Sequence, residues 1–358
     1  MSAIGVRGLN RTMLLACAPF VGLLAWLAIG NVAVSLTEEA FPQHAATNID
    51  PAALSGNALN GLAEAESSAA ITGKMIKRQL QLYNQTNADM KKIASMATAQ
   101  SSRPYQIYDK RITGKLGKPA ATINTDKLRA QLFYLSNENF SSYALKVQLK
   151  DEDAMKLVLA EDKPGKAETT LNAVKRSNAS IGVNAGGFAD SRAGRFPLST
   201  TIVDGEYVGS FQASYKDLFF VGMSANNKLI GGKFGNQSEL DALKPKFGAS
   251  FVPVLLENGR KTSIPAKWQS SPRRAPRTVV ASYKDDQLLF IVADGYNEHG
   301  SSGATLEEMQ SLLKRYGAID GYNLDGGGSS TLVWGGRVIN HPSDGSLRKL
   351  PTNFVFFK

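Results

Sequence analysis

The residues with the clearest potential for chemistry lie near the C-terminus, in a segment that reads Asn-Leu-Asp-Gly-Gly-Gly-Ser-Ser over residues 323–330. Its carboxylate, Asp325, follows an apolar run and precedes three glycines and two serines. Because consecutive glycines cost backbone entropy, folded proteins keep them where the chain turns sharply or approaches a ligand closely. A tight turn between buried strands is the alternative, but the flanking Asp and Ser residues favour a binding or catalytic site.

Two other strand-like segments end in a similar way. The run that starts at Ile181 leads into Asn184-Ala-Gly-Gly-Phe, and the apolar run Leu288–Ala293 leads into Asp294-Gly295. If neighbouring strands carry these turns to one edge of a sheet, their polar side chains converge in one cleft. A single Asp-Gly pair indicates only a turn, whereas the three turns together indicate a site.

The elements that must position these residues alternate between strands and helices. Tyr143–Leu149 alternates apolar and polar residues, as a half-buried strand does. Thr305–Tyr316 is predicted to be an amphipathic helix, with a capping box formed by Thr305 and Glu308 and a C-cap at Gly317. The predicted fold class is α+β, with a mixed, mainly antiparallel sheet flanked by helices, preceded by a transmembrane helix and a helical stalk.

The N-terminal region contains the predicted membrane-spanning segment. Between Arg11 and Glu38 lie 26 residues without a charge, and about 20 apolar residues suffice to cross a bilayer. Basic residues precede the segment and acidic residues follow it, so the positive-inside rule predicts a cell-membrane protein with one span and an extracytoplasmic C-terminal domain. A cleaved signal peptide is the alternative, because small residues recur at cleavage-site spacing.

A helical stalk is predicted between this segment and the main domain. Over Leu62–Gln100 the chain has no proline, and apolar residues recur every three or four positions, among them Ile76, Leu80, Tyr83 and Met90. Asn87 interrupts this stripe, an arrangement that sets register in coiled coils. Two interpretations stay open: self-association through the stalk, and packing of the helix on its own domain.

Composition excludes several classes of protein. The hydrophobic content of 43% and charged content of 20% are typical of a globular chain. The net charge of +10 suits an anionic partner, but scattered basic residues without a recognition motif predict no nucleic-acid binding. The only cysteine, Cys17, permits neither a disulfide framework nor a thiolate metal site within one chain. Neither a P-loop nor a Gly-x-Ser-x-Gly elbow is present.

Several motifs, in the same order along the chain, give the sequence a resemblance to the phosphodiester glycosidase family from about Lys127 to Lys358. The matching motifs are Asn184–Phe188, Pro276–Thr278, Asp294-Gly295, Ser301–Glu308, Asn323–Thr331 and Asn340–Ser343. A departure is the segment Tyr296–His299, where many members have an arginine and a shorter loop. The predicted organisation is a cytoplasmic N-terminus (1–11), a transmembrane signal-anchor (12–37), a linker (38–61), a helical stalk (62–100), a segment leading into the main domain (101–126) and a phosphodiester glycosidase-like domain (127–358).

The resemblance implies hydrolysis of a sugar-1-phosphodiester at the anomeric carbon. Asp325 is then the nucleophile or the stabiliser of the sugar cation, and Asp294 is the acid/base or water-activating partner. Because phosphate is a good leaving group, a cation that holds it matters more than a strong acid, and this role falls to Arg277. Among the other implied substrate-binding residues, Asn184 and Asn323 bind sugar hydroxyls. The anion nest consists of the amides of Gly326, Gly327 and Gly328 and the hydroxyls of Ser329 and Ser330. The remaining motifs contribute Gly186, Gly187, Ser301 and Thr305.

Two alternative functions remain at this point. Asp190, Asp294 and Asp325 together could bind a divalent cation, which would give a metal-dependent phosphodiesterase that cleaves a P–O bond. A non-catalytic glycan-polymer binding protein in polysaccharide export is the second alternative. The preferred prediction needs no cofactor, and its partners are a phosphate-bearing glycan of the envelope or of an exopolysaccharide and the membrane through the N-terminal helix. A second copy of the chain is a partner under the self-association interpretation of the stalk.

Overall fold

The computed structural model describes residues 51–296 and 302–358. The chain divides into two compact units, one ending at Ile93 and one running from Ala94 to Lys358. The first unit is described as a single element, the N-terminal part of helix α1 (Pro51–Leu116), which is 66 residues long. This helix begins within the predicted linker, continues through the predicted stalk and Pro104, and ends within the segment predicted to lead into the main domain.

The predicted fold class included a transmembrane helix, and this part of the prediction is wrong for the described chain. Across residues 51–296 and 302–358 no helix combines the length and the apolar character needed to cross a membrane. Helix α1 is long enough, but charged residues such as Glu64, Lys77 and Asp89 recur along it. Residues 12–37, on which the prediction rested, lie outside the described residues.

An eight-stranded sheet forms the centre of the second unit, and every strand pair in it is antiparallel. Its strands, from one edge to the other, are β1 (Ala121–Asn124), β2 (Leu128–Ser136), β3 (Ser141–Leu149), β16 (Leu288–Ala293), β15 (Arg277–Ser282), β17 (Asp320–Leu324), β13 (Val254–Glu257) and β14 (Arg260–Lys261).

Two five-stranded antiparallel sheets and one hairpin complete the β-structure. The first contains β11 (Leu229–Gly232), β10 (Phe219–Ser224), β12 (Pro245–Phe251), β8 (Ile202–Val203) and β9 (Glu206–Tyr207). The second contains β19 (Arg337–Val338), β18 (Leu332–Trp334), β5 (Ile181–Asn184), β20 (Thr352–Phe356) and β4 (Met155–Leu159), and the hairpin pairs β6 (Phe188–Ser191) with β7 (Gly194–Pro197). The other α-helices of the described residues are α2 (Thr170–Arg176), α3 (Gln237–Asp241), α4 (Ala266–Ser270) and α5 (Leu306–Tyr316).

Both faces of the eight-stranded sheet are covered. One face packs on the two five-stranded sheets, where Phe290 contacts Phe354. The opposite face packs on the last turns of α1, through Ile112, and on α5, through Leu313. Strands β15 and β16 are therefore buried along their whole length, which explains why β16 is a continuous apolar run rather than an alternating one.

Helix α5 confirms the prediction made from its capping signals. The Thr305 side chain accepts a hydrogen bond from the Glu308 amide, and the Glu308 side chain accepts one from the Thr305 amide. Gly317 ends the helix in the left-handed conformation, with φ of 85°. Glu308 is therefore a helix cap, as its position three residues after Thr305 predicted.

Candidate active site

The two aspartates predicted to be catalytic follow strands that lie at the same edge of the central sheet. Strand β15 pairs with β16 on one side and with β17 on the other, and Arg277 lies opposite Ala293 while Thr278 lies opposite Leu324. The chain therefore leaves β16 at Asp294 and β17 at Asp325 next to the start of β15. With one strand between them, their backbones are about 10 Å apart. The sheet thus brings the two carboxylates to one edge.

The third polar turn comes from a different sheet, and Asn184 connects it to this edge. Its side chain, at the end of β5, donates through Nδ2 to the carbonyl of Asp325 at 2.6 Å. Its Oδ1 accepts from the Thr278 hydroxyl at 2.8 Å and from the Thr331 amide at 3.0 Å. Asn184 is fully buried. These bonds show that it fixes the backbone around Asp325, rather than facing a cleft as a sugar-binding group would.

The glycines after Asn184 are explained by close packing. A Cβ on Gly186 would lie 2.6 Å from the Cβ of Ala249 in β12, and one on Gly187 would overlap the ring of Phe251. The Gly187 amide donates to the Ser250 carbonyl at 3.1 Å. Both predicted substrate-binding glycines therefore allow the turn to lie against β12.

Asp325 has the most unusual environment among the candidate residues. Its Oδ1 accepts from the Gly326 amide at 3.0 Å, whereas its Oδ2 is buried and has no hydrogen-bond partner within the described part of the chain. Burial raises the pKa of the carboxyl to about 6, against smaller lowering effects from Ser329, Arg348, Gly326 and Arg195. A carboxylate oxygen that is buried without a partner is costly, and such groups are typical of sites completed by a ligand.

The two cations that act on Asp325 were not predicted from the sequence. Arg348 donates to the Asp344 carboxylate at 2.7 Å and to the Ser329 hydroxyl at 3.3 Å. Arg195, in the β6–β7 hairpin, pairs with Asp190 at 2.7 Å. Both arginines are held in place by these partners. They supply positive charge beside Asp325, and the only signal in the sequence was the basic composition of the chain.

The Gly326–Ser330 loop uses part of the predicted anion nest for its own structure. The Gly326 amide bonds the Asp325 side chain, and the Gly327 amide donates to the Pro276 carbonyl at 2.8 Å. Gly327 has φ of 59°, which glycine tolerates best. A Cβ on Gly328 would overlap Asp344 and Arg348, so this position must stay small for the ion pair to lie over the loop.

Two further polar atoms of the motif are buried without a partner within the described residues: the Ser330 hydroxyl oxygen and the Oδ1 of Asn323. Asn323 donates through Nδ2 to the Val252 carbonyl at 2.6 Å. Ser329 is also buried, and its hydroxyl accepts from Arg348. Together with the Oδ2 of Asp325, three unpartnered buried oxygens occur within eight residues.

Asp294 is almost completely buried, with 1% of its surface exposed, and is bonded to two side chains that the sequence did not predict. Tyr143 donates to its Oδ2 at 3.0 Å, and the His341 amide donates to its Oδ1 at 2.9 Å. The Nδ1 of His341 lies 3.0 Å from Oδ2. Burial and the nearby Asp294 raise the pKa of Tyr143. The arrangement fixes an imidazole that is half exposed beside a cavity of about 410 Å³.

Arg277 is not brought to Asp325. Its guanidinium donates to the carbonyls of Ala304 at 3.2 Å and Pro272 at 2.8 Å. In β15 it shares a face with Val279, on the side of the sheet that packs on α5. Burial lowers the pKa of this arginine, which is only 6% exposed. Through these bonds Arg277 holds the two loops together, and the phosphate contact that the resemblance implied stays a prediction.

The remaining predicted residues lie apart from Asp325 or beyond the described residues. The Thr305 hydroxyl is used by the capping box of α5. Ser301 lies outside the described residues. The described segments also contain no group of three or more His, Cys, Asp or Glu side chains that could hold a metal ion. Asp190, which the metal hypothesis requires, is paired with Arg195.

Fold and site together define a class: an antiparallel-sheet domain with a carboxylate, Asp325, at the edge of its central sheet and two arginines that act on its charge. The chain belongs to the phosphodiester glycosidase family, whose model matches residues 177–357, just over half of the chain. The resemblance found in the motifs is thereby confirmed. Membership supports a glycosidase-type hydrolase role.

Individual relatives are distant. The mouse N-acetylglucosamine-1-phosphodiester alpha-N-acetylglucosaminidase is 28% identical over 175 residues, which cover 44% of this chain and 32% of that protein. The Bacillus subtilis (strain 168) SPbeta prophage-derived uncharacterized protein YomE is 28% identical over 189 residues, covering 51% of this chain and 28% of that protein. The chain thus spans about a third or less of the length of these relatives.

Among solved structures, the zebrafish N-acetylglucosamine-1-phosphodiester alpha-N-acetylglucosaminidase catalytic domain, auto-inhibited by its pro-peptide, superimposes with a TM-score of 0.53. The match covers 67% of this chain and 87% of that chain at 21% identity. At this identity the likeness supports the fold alone.

Proposed function

We propose that this protein hydrolyses the glycosidic bond of a sugar-1-phosphodiester, in an envelope or exopolysaccharide-type glycan outside the cytoplasm. The observation that carries the proposal is the environment of Asp325: an unpartnered buried carboxylate oxygen, with Arg195 and Arg348 as its cationic neighbours. Such a site offers a negative charge for an oxocarbenium-like sugar and positive charges for the phosphate. The activity in the name of the mouse relative belongs to the same reaction class.

In this mechanism Asp325 acts in its ionised form and stabilises the positive charge that develops at the anomeric carbon. Arg348 and Arg195 hold the departing phosphate, whose low basicity reduces the need for a strong general acid. Asp294 and the His341 imidazole bonded to it form the pair that takes a proton from the attacking water. The net charge of +10 favours the approach of an anionic polymer.

The decisive experiment is hydrolysis of a panel of sugar-1-phosphodiesters by the purified protein in ¹⁸O-labelled water. Cleavage of the glycosidic bond places the label on the sugar, and this is the expected result. Cleavage of the P–O bond places it on the phosphate and would establish the phosphodiesterase alternative. Asp325→Asn and Asp294→Asn are the matched variants, and turnover equal to wild type in both would refute the assignment of the site.

The non-catalytic alternative is tested in the same preparation. A glycan-polymer binding protein would show binding of a phosphate-bearing polysaccharide that survives in Asp325→Asn, without turnover of any substrate in the panel. The proposal requires that the wild-type protein turns over a substrate of the panel and that Asp325→Asn loses this turnover. Polymer binding should be weakened chiefly by Arg348→Met.

A further inference from the structure

Helix α1 carries an apolar stripe with a seven-residue repeat over residues 59–90. We refer to its two rows of positions as the stalk seam. In one row, corresponding to a positions, are Leu59, Glu66, Gly73, Leu80 and Asn87; in the other, corresponding to d positions, are Leu62, Ala69, Ile76, Tyr83 and Met90. Spacing of three and four residues between the rows is that of a coiled coil. Glu66 and Gly73 interrupt the N-terminal half, so the repeat is strongest from Ile76 to Met90.

The large apolar residues of the stalk seam face solvent in the single chain. The side chains of Leu59, Leu62, Ile76, Leu80, Tyr83 and Met90 are each more than half exposed. An isolated helix gains little stability from local hydrogen bonds alone and relies on burial of an apolar face. Exposed apolar side chains that recur at this spacing, most regularly from Ile76 to Met90, are therefore typical of a helix surface that another chain covers.

We propose that the stalk seam pairs with the stalk seam of a second copy of this chain to form a parallel two-stranded coiled coil. Asn87 supports both the partner and the direction. A buried asparagine at an a position is satisfied by the same asparagine of an identical parallel chain, and this pairing selects dimers and fixes register. In an antiparallel arrangement Asn87 would face an apolar row and lose that partner.

From Ile76 to Met90 the charges along the helix agree with a parallel dimer. The positions that flank the seam carry Lys77 and Lys91 on one side and Thr72, Gln79 and Thr86 on the other. In a parallel pair each lysine faces a neutral Thr72 or Thr86 of the partner chain. Glu66 faces Glu66 of the partner at an a position, which weakens the N-terminal half of the seam. The methylene stems of the lysines can then cover the edges of the seam.

The contact is large enough for a stable dimer. Burial of a Leu, Ile or Met side chain removes on the order of 100 Å² from water, so six large residues give roughly 600 Å² per chain. Ala69 in the seam and the lysine stems bring this figure closer to the roughly 800 Å² per partner of standard interfaces. Over residues 59–90 the paired helices would be about 48 Å long.

Two leucines provide a matched test in the full-length chain. Leu80 lies in the seam and is 58% exposed; Leu82 lies off the seam and is 60% exposed. Leu80→Asp and Leu82→Asp therefore make the same chemical change in the same helix at the same exposure. We expect wild type and Leu82→Asp to have the mass of a dimer in light scattering, and Leu80→Asp to have the mass of a monomer or to dissociate at a concentration at least tenfold higher.

Disulfide trapping tests the direction. In a background with Cys17→Ser, Tyr83→Cys places a thiol in the seam at the same level on both chains, and Gln85→Cys places one on the opposite side of the helix. Oxidation is expected to give cross-linked dimers for Tyr83→Cys and not for Gln85→Cys. A monomeric wild type, equal effects of Leu80→Asp and Leu82→Asp, or equal cross-linking of the two cysteine variants would each overturn the proposal.

Discussion

Replacing Asp325 by asparagine is expected to abolish turnover and, at neutral pH, to stabilise the folded protein. Both effects come from the same feature, a carboxylate held in a buried position with one oxygen unpartnered. Asparagine has nearly the same shape and keeps an oxygen that can accept from the Gly326 amide. It removes the charge that the mechanism needs and whose burial is unfavourable.

The magnitude follows from the pKa. Burial raises the pKa of Asp325 from 3.8 to about 6, and at about 1.4 kcal/mol per pKa unit this difference corresponds to roughly 3 kcal/mol. The folded protein binds the proton more tightly than the unfolded chain, so this residue reduces stability as pH rises from about 4 to about 6. The full reduction is present above pH 6 and absent below the unfolded pKa.

The assay is urea unfolding of wild type and Asp325→Asn at pH 4 and at pH 7.5. We expect nearly equal free energies of unfolding at the lower pH and a variant more stable by about 2–3 kcal/mol at the higher pH. Asp126→Asn, at an exposed position, is the control and should change stability by less than about 0.5 kcal/mol. If Asp325→Asn is equally destabilised at both pH values, the carboxylate is not held in an unfavourable environment and the reasoning fails.

Three further substitutions test the supporting contacts. Asn184→Ala leaves the buried Thr331 amide without its acceptor and should lower the free energy of unfolding by roughly 2–4 kcal/mol in urea titrations. Arg348→Lys keeps the charge but loses the planar guanidinium that binds phosphate through two hydrogen bonds. KM for a sugar-1-phosphodiester should therefore rise about tenfold or more in steady-state kinetics, with a smaller change in kcat. Tyr143→Phe removes the hydroxyl bonded to Asp294, so kcat should fall at nearly constant KM, with a stability loss of about 1–2 kcal/mol.

Each of these expectations can be contradicted. An Asn184→Ala protein as stable as wild type would show that the turns are held by other contacts. Arg277→Lys is the comparison for Arg348→Lys. If Arg277→Lys raises KM more than Arg348→Lys does, at unchanged stability, the result would indicate that Arg277 contacts the phosphate. A Tyr143→Phe enzyme with wild-type kcat would remove the Asp294 network from the mechanism.

The elements around the site could largely be located from the sequence, because their signals are local. The predicted strand Leu288–Ala293 has the same bounds in the structure, and the predicted strand Tyr143–Leu149 lies within β3. Helix α5 was predicted with both of its caps, since a capping box needs residues only three positions apart. The sequence also placed Asp294 and Asp325 after strands, and their position at one sheet edge follows from the pairing of both strands with β15.

The roles of the side chains at that edge were harder to predict from the sequence. Because side chains alternate along β15, Arg277 lies on the same face of the sheet as Val279. Strand periodicity therefore predicted this orientation of Arg277, whereas the family resemblance implied a phosphate contact. Asn184 was assigned to substrate through the family resemblance. Its three bonds join β5, β15 and the segment after β17, and no local pattern reports such contacts.

By itself, the sequence indicated the family through its resemblance in several motifs, and it located several strands, the capped helix and the two aspartates that follow strands. The strands, the caps and the turns depend on residues close together in the chain, through periodicity, capping and turn chemistry. The tertiary structure alone decided that Arg195 and Arg348 lie beside Asp325 and that Tyr143 and His341 hold Asp294. These residues come from distant segments, and only the packing of the sheets on one another sets which charges meet in the buried interior.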